Sequence, residues 1–327
     1  MSKVLPDIIG SEQAAFVKDR YIGDAVRTVA DVIQFTKFRN IPGILLNIDF
    51  EKAYDSVDHG FLKKVIKLFN FGESMQRWVH TFYNNIKSCV MNNGLSTGYF
   101  DIKRGVRQGD PFSSILFVIV MEVLLIRIRN DQDIEGIEIN DTTCIKMSCY
   151  ADDLTCFPKN IRSARKIMQV LDNFHRCSSL KVNVEKTEGM WLGNNRLSND
   201  KPLPIIWTNK VKVLGIVFSY DENLATSLNF DDKIISLKQT LALWKSRDLT
   251  VIGKIVIVKT FGLSKFLYVS SMISTPLAIQ RQINSIIHQF IWNGPDKIKR
   301  RVISSNYDEG GLKMMDIYSR INAQHIL

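Results

Sequence analysis

Asp152 and Asp153 stand side by side between two apolar runs of strand length, MSCY at 147–150 and LTCF at 154–157. Flanks of this kind predict a buried β-hairpin over 146–157 with Ala151, Asp152 and Asp153 at its tip. Two like charges at the end of a buried element raise each other's energy, so the arrangement calls for cations. An Asp-rich surface turn has the same local composition, but flanks this apolar put the tip at the rim of a core. Hard divalent ions take oxygen ligands and are held by a few carboxylates with other oxygen donors, which predicts a second acidic strand end nearby. ILLNID, residues 44–49, supplies it, reading as a buried strand bounded by Pro42 and Gly43 and ending on Asp49.

The rest of the chain builds around these elements. Two helical patterns follow Asp49: Phe61, Leu62, Val65, Ile66 and Phe69, then Met75, Trp78, Val79, Phe82, Tyr83 and Ile86, with Gly72 between them as the expected C-cap. A hairpin is predicted around Asn92, Asn93 and Gly94. Asp110 and Pro111 cap a helix that is apolar nearly all round to Ile128, as a core helix is. A helix is expected over 161–175, then strands at LKVNV (180–184), GMWLG, PIIW and KVLGIVFS. Beyond Asn223 the pattern is helical only, over 230–245, 250–271 and 277–292. Strands mixed with helices, followed by helices alone, predict an α+β domain and then a helical one.

With 327 residues, 45% hydrophobic and 23% charged, the chain suits neither disorder nor a membrane bundle. The longest apolar stretch, 115–126, is interrupted by Glu122, and the N-terminus lacks an apolar core of signal-peptide length; no membrane partner is expected. A net charge of +10 attracts polyanions, and nucleic acid leads among them. Five cysteines without a CxxC pair, mostly inside apolar runs, predict a reducing compartment, with neither a disulfide framework nor a zinc site.

Five blocks follow one another along the chain: NIDFEKAYDSVDH, RGVRQGDPFSS, YADD, LKVNVEKTEGM and VKVLGIVFS. In order and spacing they resemble the reverse transcriptases of non-LTR, LINE-type retrotransposons. A lone YADD is a weak signal; five ordered blocks are a specific one. The resemblance implies a right-hand polymerase palm, an antiparallel sheet with packed helices, with truncated fingers and an all-helical thumb. Its expected divisions are 1–42 partial fingers, 43–222 palm with the primer-grip hairpin and interleaved fingers segments, and 223–327 thumb and the start of the following region. The activity implied is RNA-directed DNA synthesis by two-metal nucleotidyl transfer to a primer 3′-hydroxyl, with an RNA template, a DNA primer and dNTPs as partners. Two Mg²⁺ ions are expected, with Mn²⁺ as a substitute.

Matched position by position, Asp49, Asp152 and Asp153 are the metal-binding carboxylates, and the Phe50 carbonyl is a further metal ligand. Tyr150 packs at the primer end. Tyr54 crowds the 2′ carbon of the incoming sugar, and on its own would read as a plain core aromatic. Gln108 and Gly109 lie under the template base and incoming nucleotide, where glycine permits close approach. Arg107 meets phosphate, as does Arg104 if it is more than a solvated charge. Lys186 stands near the triphosphate as general acid or electrostatic aid. Leu214 and Gly215 form the primer grip, and the basic helical tail tracks the duplex by shape and backbone. Trp244, Trp292 and the GGL at 310–312 follow the family's downstream pattern.

Ala15 and Asp19, in SEQAAFVKDR, stand where the family usually has glycine, and Phe112 replaces a commoner leucine. Family members carry further fingers strands upstream and a nuclease domain in the full-length element, so the chain reads as an excerpt or a decayed copy. Cytoplasm and nucleus are the compartments the resemblance implies. A catalytically silent nucleic-acid-binding remnant is the alternative. Group II intron maturases and telomerase-like enzymes share the palm but not FEKAYD or the LGI-to-thumb succession, and a phosphohydrolase would need neither primer grip nor thumb.

Overall fold

The computed structural model describes residues 1–324, leaving the last three residues of the expected thumb outside. It forms two compact units, Met1–Leu214 and Gly215–Leu327.

The first unit is organised by a five-stranded sheet whose central strand is Gly43–Ile48. On one side this strand pairs antiparallel with Glu188–Leu192, from Gly43↔Leu192 to Asn47↔Glu188. On the other it pairs antiparallel with Asp153–Cys156, which continues through the hairpin to the edge strand Met147–Tyr150. Ile206–Trp207 adds a parallel edge beside Glu188–Leu192. The continuous apolar run of the central strand follows from burial on both faces. Ile44, Leu46 and Ile48 point into the main core with the helices Pro111–Asn130 and Ile161–Ser178. The helix Ile22–Arg39 packs on Met147–Tyr150 and Glu188–Leu192 from the other face, where Ser148 Oγ donates to Ala25 O at 3.4 Å.

Pro111–Asn130 is capped by Asp110, whose carboxylate accepts from Phe112 N–H. By length and composition both it and Val251–Met272 are apolar enough to cross a bilayer; the former is packed against His59–Leu68 and Ile161–Ser178. Its single acid, Glu122, is 1% exposed and reaches Arg129 one face along the same helix at 3.0 Å. Cys149 and Cys156 are buried as expected, whereas Cys144 and Cys177 are exposed.

Several local expectations change. Gly72 is the N-cap of Glu73–Phe82, and the preceding helix, His59–Leu68, closes through Asn70 at φ 54°, a conformation asparagine tolerates. LKVNV is reduced to one bridge, Val182 to Phe50, because Asn183 O collects Lys186 N–H, Thr187 N–H and Thr187 Oγ–H and turns the chain. The hairpin around Asn93-Gly94 forms as two short ladders, with both turn residues at positive φ.

In the second unit the strand Ile216–Ser219 packs on the helix Glu222–Lys245, which starts earlier than periodicity suggested because Asp221 caps it. The compact units divide at Leu214/Gly215, whereas the sequence reading drew its division between 222 and 223. Asn229, 2% exposed, joins this strand to this helix: its amide donates to Val217 O and Ala225 O at 2.8 Å and accepts Val217 N–H at 3.0 Å. The expected helix over 250–271 contains a π-helical segment, Val258–Leu263, where Gly262 admits Leu237 to 3.0 Å of the place a Cβ would take. Leu277–Trp292 matches its predicted bounds.

Replacing Asn229 by Leu strands both Val217 backbone groups and should cost about 2 kcal/mol, read as a lower urea midpoint with earlier loss of amide protection in Ile216–Ser219. An unchanged midpoint would remove the amide from the account of this unit.

Candidate active site

The register of the central strand assembles the site. Leu46↔Cys156, Asn47↔Thr155 and Ile48↔Leu154 are paired, so one step further along the chain Asp49 faces Asp153. Alternate residues share a face, and the Asn47 and Thr155 side chains meet at 3.5 Å. Asp49 and Asp153 therefore leave the sheet on that same face, opposite the one occupied by Ile48 and Leu154. Across the hairpin Tyr150 pairs with Asp153, leaving Ala151 and Asp152 as a two-residue turn. Ala151 alone takes positive φ, at 57°, the pattern of a type II′ turn.

The three carboxylates feel one another. Partial burial first, and then the Asp49 charge, hold Asp152 above the usual carboxylate range. Asp153 keeps contact with solvent, yet partial burial with the Asp152 and Asp49 charges pushes it up to about 6. Tyr54 belongs to the same surroundings: burial and then the Asp152 charge push its phenol up to about 12. Its ring stacks on Phe117, with centroids 4.3 Å apart and planes 13° apart.

Asp49 and Phe50 are pinned from the side of the 181–187 segment. Asn183 N–H donates to Asp49 O at 2.7 Å and Glu51 N–H to Lys181 O at 2.8 Å. These bonds flank the Phe50–Val182 pair, so the backbone groups of Phe50 itself point the opposite way, toward the Asp153 strand. Thr187, fully buried, accepts the Asp49 N–H at 3.3 Å and donates to Asn183 O at 2.8 Å. Lys186 lies exposed on this turn.

The RGVRQGDP loop is tied to the Tyr54 segment by Val106 N–H to Tyr54 O at 2.7 Å and Gly105 N–H to Val57 O at 2.8 Å. His59 Nε2 adds a bond with Gly105 O at 2.8 Å. Gln108 is carried alongside, its amide on Asp55 Oδ1 at 3.0 Å. Gly109, at φ 83°, has no atom within 4 Å of a Cβ position, so the loop bends there with open space above it. Arg104 and Arg107 are exposed. Tyr150, half-buried, packs against the main core. Leu214 and Gly215 take φ 48° and 81°, the paired left-handed values of a type I′ turn.

Sequence reasoning missed Gln13, which is completely buried and hydrogen-bonded to both backbone groups of Ala151. It also missed Thr187. Neither has a local signal, since each is a single polar residue in an ordinary segment. Asp19 takes φ 63°, a conformation that suits glycine, whereas near Ala15 the positive φ falls on Phe16.

The donors gathered here, carboxylates and a peptide carbonyl, are hard oxygen ligands that suit Mg²⁺ or Mn²⁺. Among the described residues no three His, Cys, Asp or Glu side chains close into a cage for one ion. Ions of this type are completed by substrate phosphates and water, which an open carboxylate row permits.

With its pKa raised to about 6, Asp153 destabilises the metal-free fold when ionised. The penalty is absent below the unfolded value near 4, grows as pH rises, and is complete above about 6. Metal-free Asp153→Asn should therefore melt at the wild-type temperature at pH 4 and roughly 2 °C higher at pH 7.5, after allowance for solvent screening. A pH-independent difference would contradict the shared charge.

The reverse transcriptase (RNA-dependent DNA polymerase) family model matches residues 2–218. The chain is 25% identical over 328 residues to the transposon TX1 149 kDa protein of Xenopus laevis, covering 98% of this chain and 25% of that protein. Over 210 residues it is 25% identical to the Pol polyprotein of retrotransposable element R2 from Popillia japonica, covering 59% of this chain and 34% of the relative. The chain thus spans about a quarter to a third of these relatives. In structure it is similar to apo telomerase of Candida tropicalis, with a TM-score of 0.54 at 13% identity over 98% of this chain and 53% of that one, a likeness of fold. The chain belongs to the reverse transcriptase family, and its sequence matches the kind carried by non-LTR, LINE-type retrotransposons.

Proposed function

We propose that this chain carries the polymerising centre of a non-LTR retrotransposon reverse transcriptase, which extends a DNA primer on an RNA template with dNTPs. The observation that supports it most is the register that puts Asp49 beside Asp153, one residue from Asp152. In this reading residues 1–42 are partial fingers, the sheet-bearing part is the palm, and the helices beyond Asn223 are the thumb. Asp49, Asp152, Asp153 and the Phe50 carbonyl would hold two Mg²⁺ ions. When bound, the ions lower the pKa of the primer hydroxyl and neutralise charge on the leaving pyrophosphate.

The chain's own residues do the positioning. Tyr54, fixed by its stack on Phe117, closes the space where a ribose 2′-hydroxyl would stand. Gln108 and Gly109 form the floor beneath the templating pair, and Arg107 faces the phosphates. Lys186 protonates the departing pyrophosphate. Tyr150, Leu214 and Gly215 hold the primer end. A nuclease domain is expected in the full-length protein. The net charge of +10 supports nucleic acid as the partner, read by shape and backbone.

In a primer-extension assay with Mg²⁺, the chain should add dNTPs on an RNA template, and Asp152→Asn should reduce the rate by at least about a thousandfold. Salt-sensitive duplex binding without incorporation would identify a silent remnant instead. Tyr54→Ala should lower the preference for dNTP over NTP by on the order of tenfold or more while dNTP incorporation continues; unchanged discrimination would return Tyr54 to the role of a core aromatic.

A further inference from the structure

Ala151 is the first central residue of the turn that carries Asp152 and Asp153, and it is 6% exposed at φ 57°. Outside glycine this conformation is disfavoured by roughly 1–2 kcal/mol. Across a two-residue turn the cross-strand bonds join the flanking residues, here Tyr150 and Asp153, so the peptide groups of Ala151 need partners from elsewhere. One side chain reaches both, and the Cys149 thiol adds a second, weaker donor to Ala151 O at 3.3 Å. Gln13 Oε1 accepts Ala151 N–H at 2.8 Å, and Gln13 Nε2 donates to Ala151 O at 3.2 Å. The same carboxamide accepts Ala15 N–H at 3.0 Å and donates to Cys149 Sγ at 3.2 Å.

Gln13 is itself anchored on three sides. Its backbone is bridged to the edge strand by Cys149 N–H to Glu12 O at 2.8 Å and Ala14 N–H to Cys149 O at 2.9 Å. The Arg20 guanidinium donates to the carbonyls of Ile9, Gly10 and Gln13. Glu12, next in sequence, takes a two-pronged bond from Arg129 at 2.8 Å on each oxygen, and Arg129 also reaches the buried Glu122 at 3.0 Å. A guanidinium with two carboxylate partners, one of them in the core helix, gives this loop little freedom.

We propose that Gln13 is a positioning residue for nucleotidyl transfer: its buried carboxamide holds Ala151 in the left-handed conformation that aims Asp152 and Asp153 at the metal ions. The inference rests on the polymerase reading above. Completely buried, Gln13 acts through the peptide unit of Ala151. Leucine in its place keeps the volume but offers no bond, so the turn relaxes toward ordinary φ and the two carboxylates swing out of register. Glycine at 151 needs no such support, because it adopts positive φ without steric cost.

The test compares the full chain with Gln13→Leu, Gln13→Glu, Ala151→Gly and the double variant Gln13→Leu/Ala151→Gly. Three readouts are taken: thermal melting, Mn²⁺ affinity on primer–template by electron paramagnetic resonance, and steady-state extension. Gln13→Leu should weaken Mn²⁺ binding about tenfold and lower kcat about thirtyfold, with primer–template affinity unchanged and KM for dNTP within about threefold. Gln13→Glu keeps the acceptor for Ala151 N–H and should lie between the two. The double variant should recover most of the metal affinity and at least a third of the lost rate. Wild-type Mn²⁺ affinity in Gln13→Leu, or a rate loss matched by the loss of folded protein and not relieved by glycine, would overturn the proposal. If Gln13→Leu fails to fold, Gln13→Glu against wild type decides by the same metal titration, and equal affinities would count against the clamp. Failure of the unsubstituted chain to extend any primer would count against the polymerase reading, whereas the Mn²⁺ series tests the clamp separately.

Discussion

The register between Gly43–Ile48 and Asp153–Cys156 is the constraint on which the site depends. Leu46, Ile48, Leu154 and Cys156 hold it, because a slip by one residue would turn these four side chains out of the main core. Burying those side chains is worth on the order of 2 kcal/mol each, far more than the repulsion of carboxylates that still reach solvent. The apolar register therefore forces Asp49 and Asp153 together, and the core bears the cost. Partial burial first, and then the charges of their carboxylate neighbours, raise the pKa values of Asp152 and Asp153.

The surrounding structure converts this proximity into a definite aim. On the Asp49 side, Thr187 and the 181–183 backbone fix the strand end and turn the Phe50 carbonyl toward the hairpin. On the hairpin side, Gln13 fixes the turn, backed by Arg20 and by the Arg129 ion pairs. The Arg129 pairs also explain how one acid survives in a core helix: burial raises the Glu122 pKa while Arg129 opposes the shift. The Tyr54 segment and the Gly105–Gly109 loop are joined by backbone bonds and by the side chains of Gln108 and His59.

Legibility followed the range of the interactions. The paired carboxylates, the strand before Asp49, the core helix and the Asp110 cap are written in runs of neighbouring residues, and each stands where periodicity placed it. LKVNV looked like a strand because its alternation is strand-like, but the Asn183 carbonyl gathers three donors and local turn bonding wins. Gly72 was assigned to the wrong helix end, since Asn70 took the left-handed position first. Gln13 lay beyond any local reading: its partner in the turn is 138 residues away, and SEQAAF carries no periodic or charge pattern that marks it. Contacts between single polar side chains and distant backbone leave no trace in a window of sequence, whereas ordered motif blocks conveyed the family that such contacts serve.

The central claim is that Asp49, Asp152 and Asp153 form one metal centre. Anomalous diffraction from crystals of the full chain with primer–template, a non-hydrolysable dNTP and Mn²⁺ measures this directly. The account predicts two manganese peaks whose protein ligands are drawn from all three carboxylates; a single peak on the hairpin pair, or peaks that leave Asp49 unbound, would contradict it.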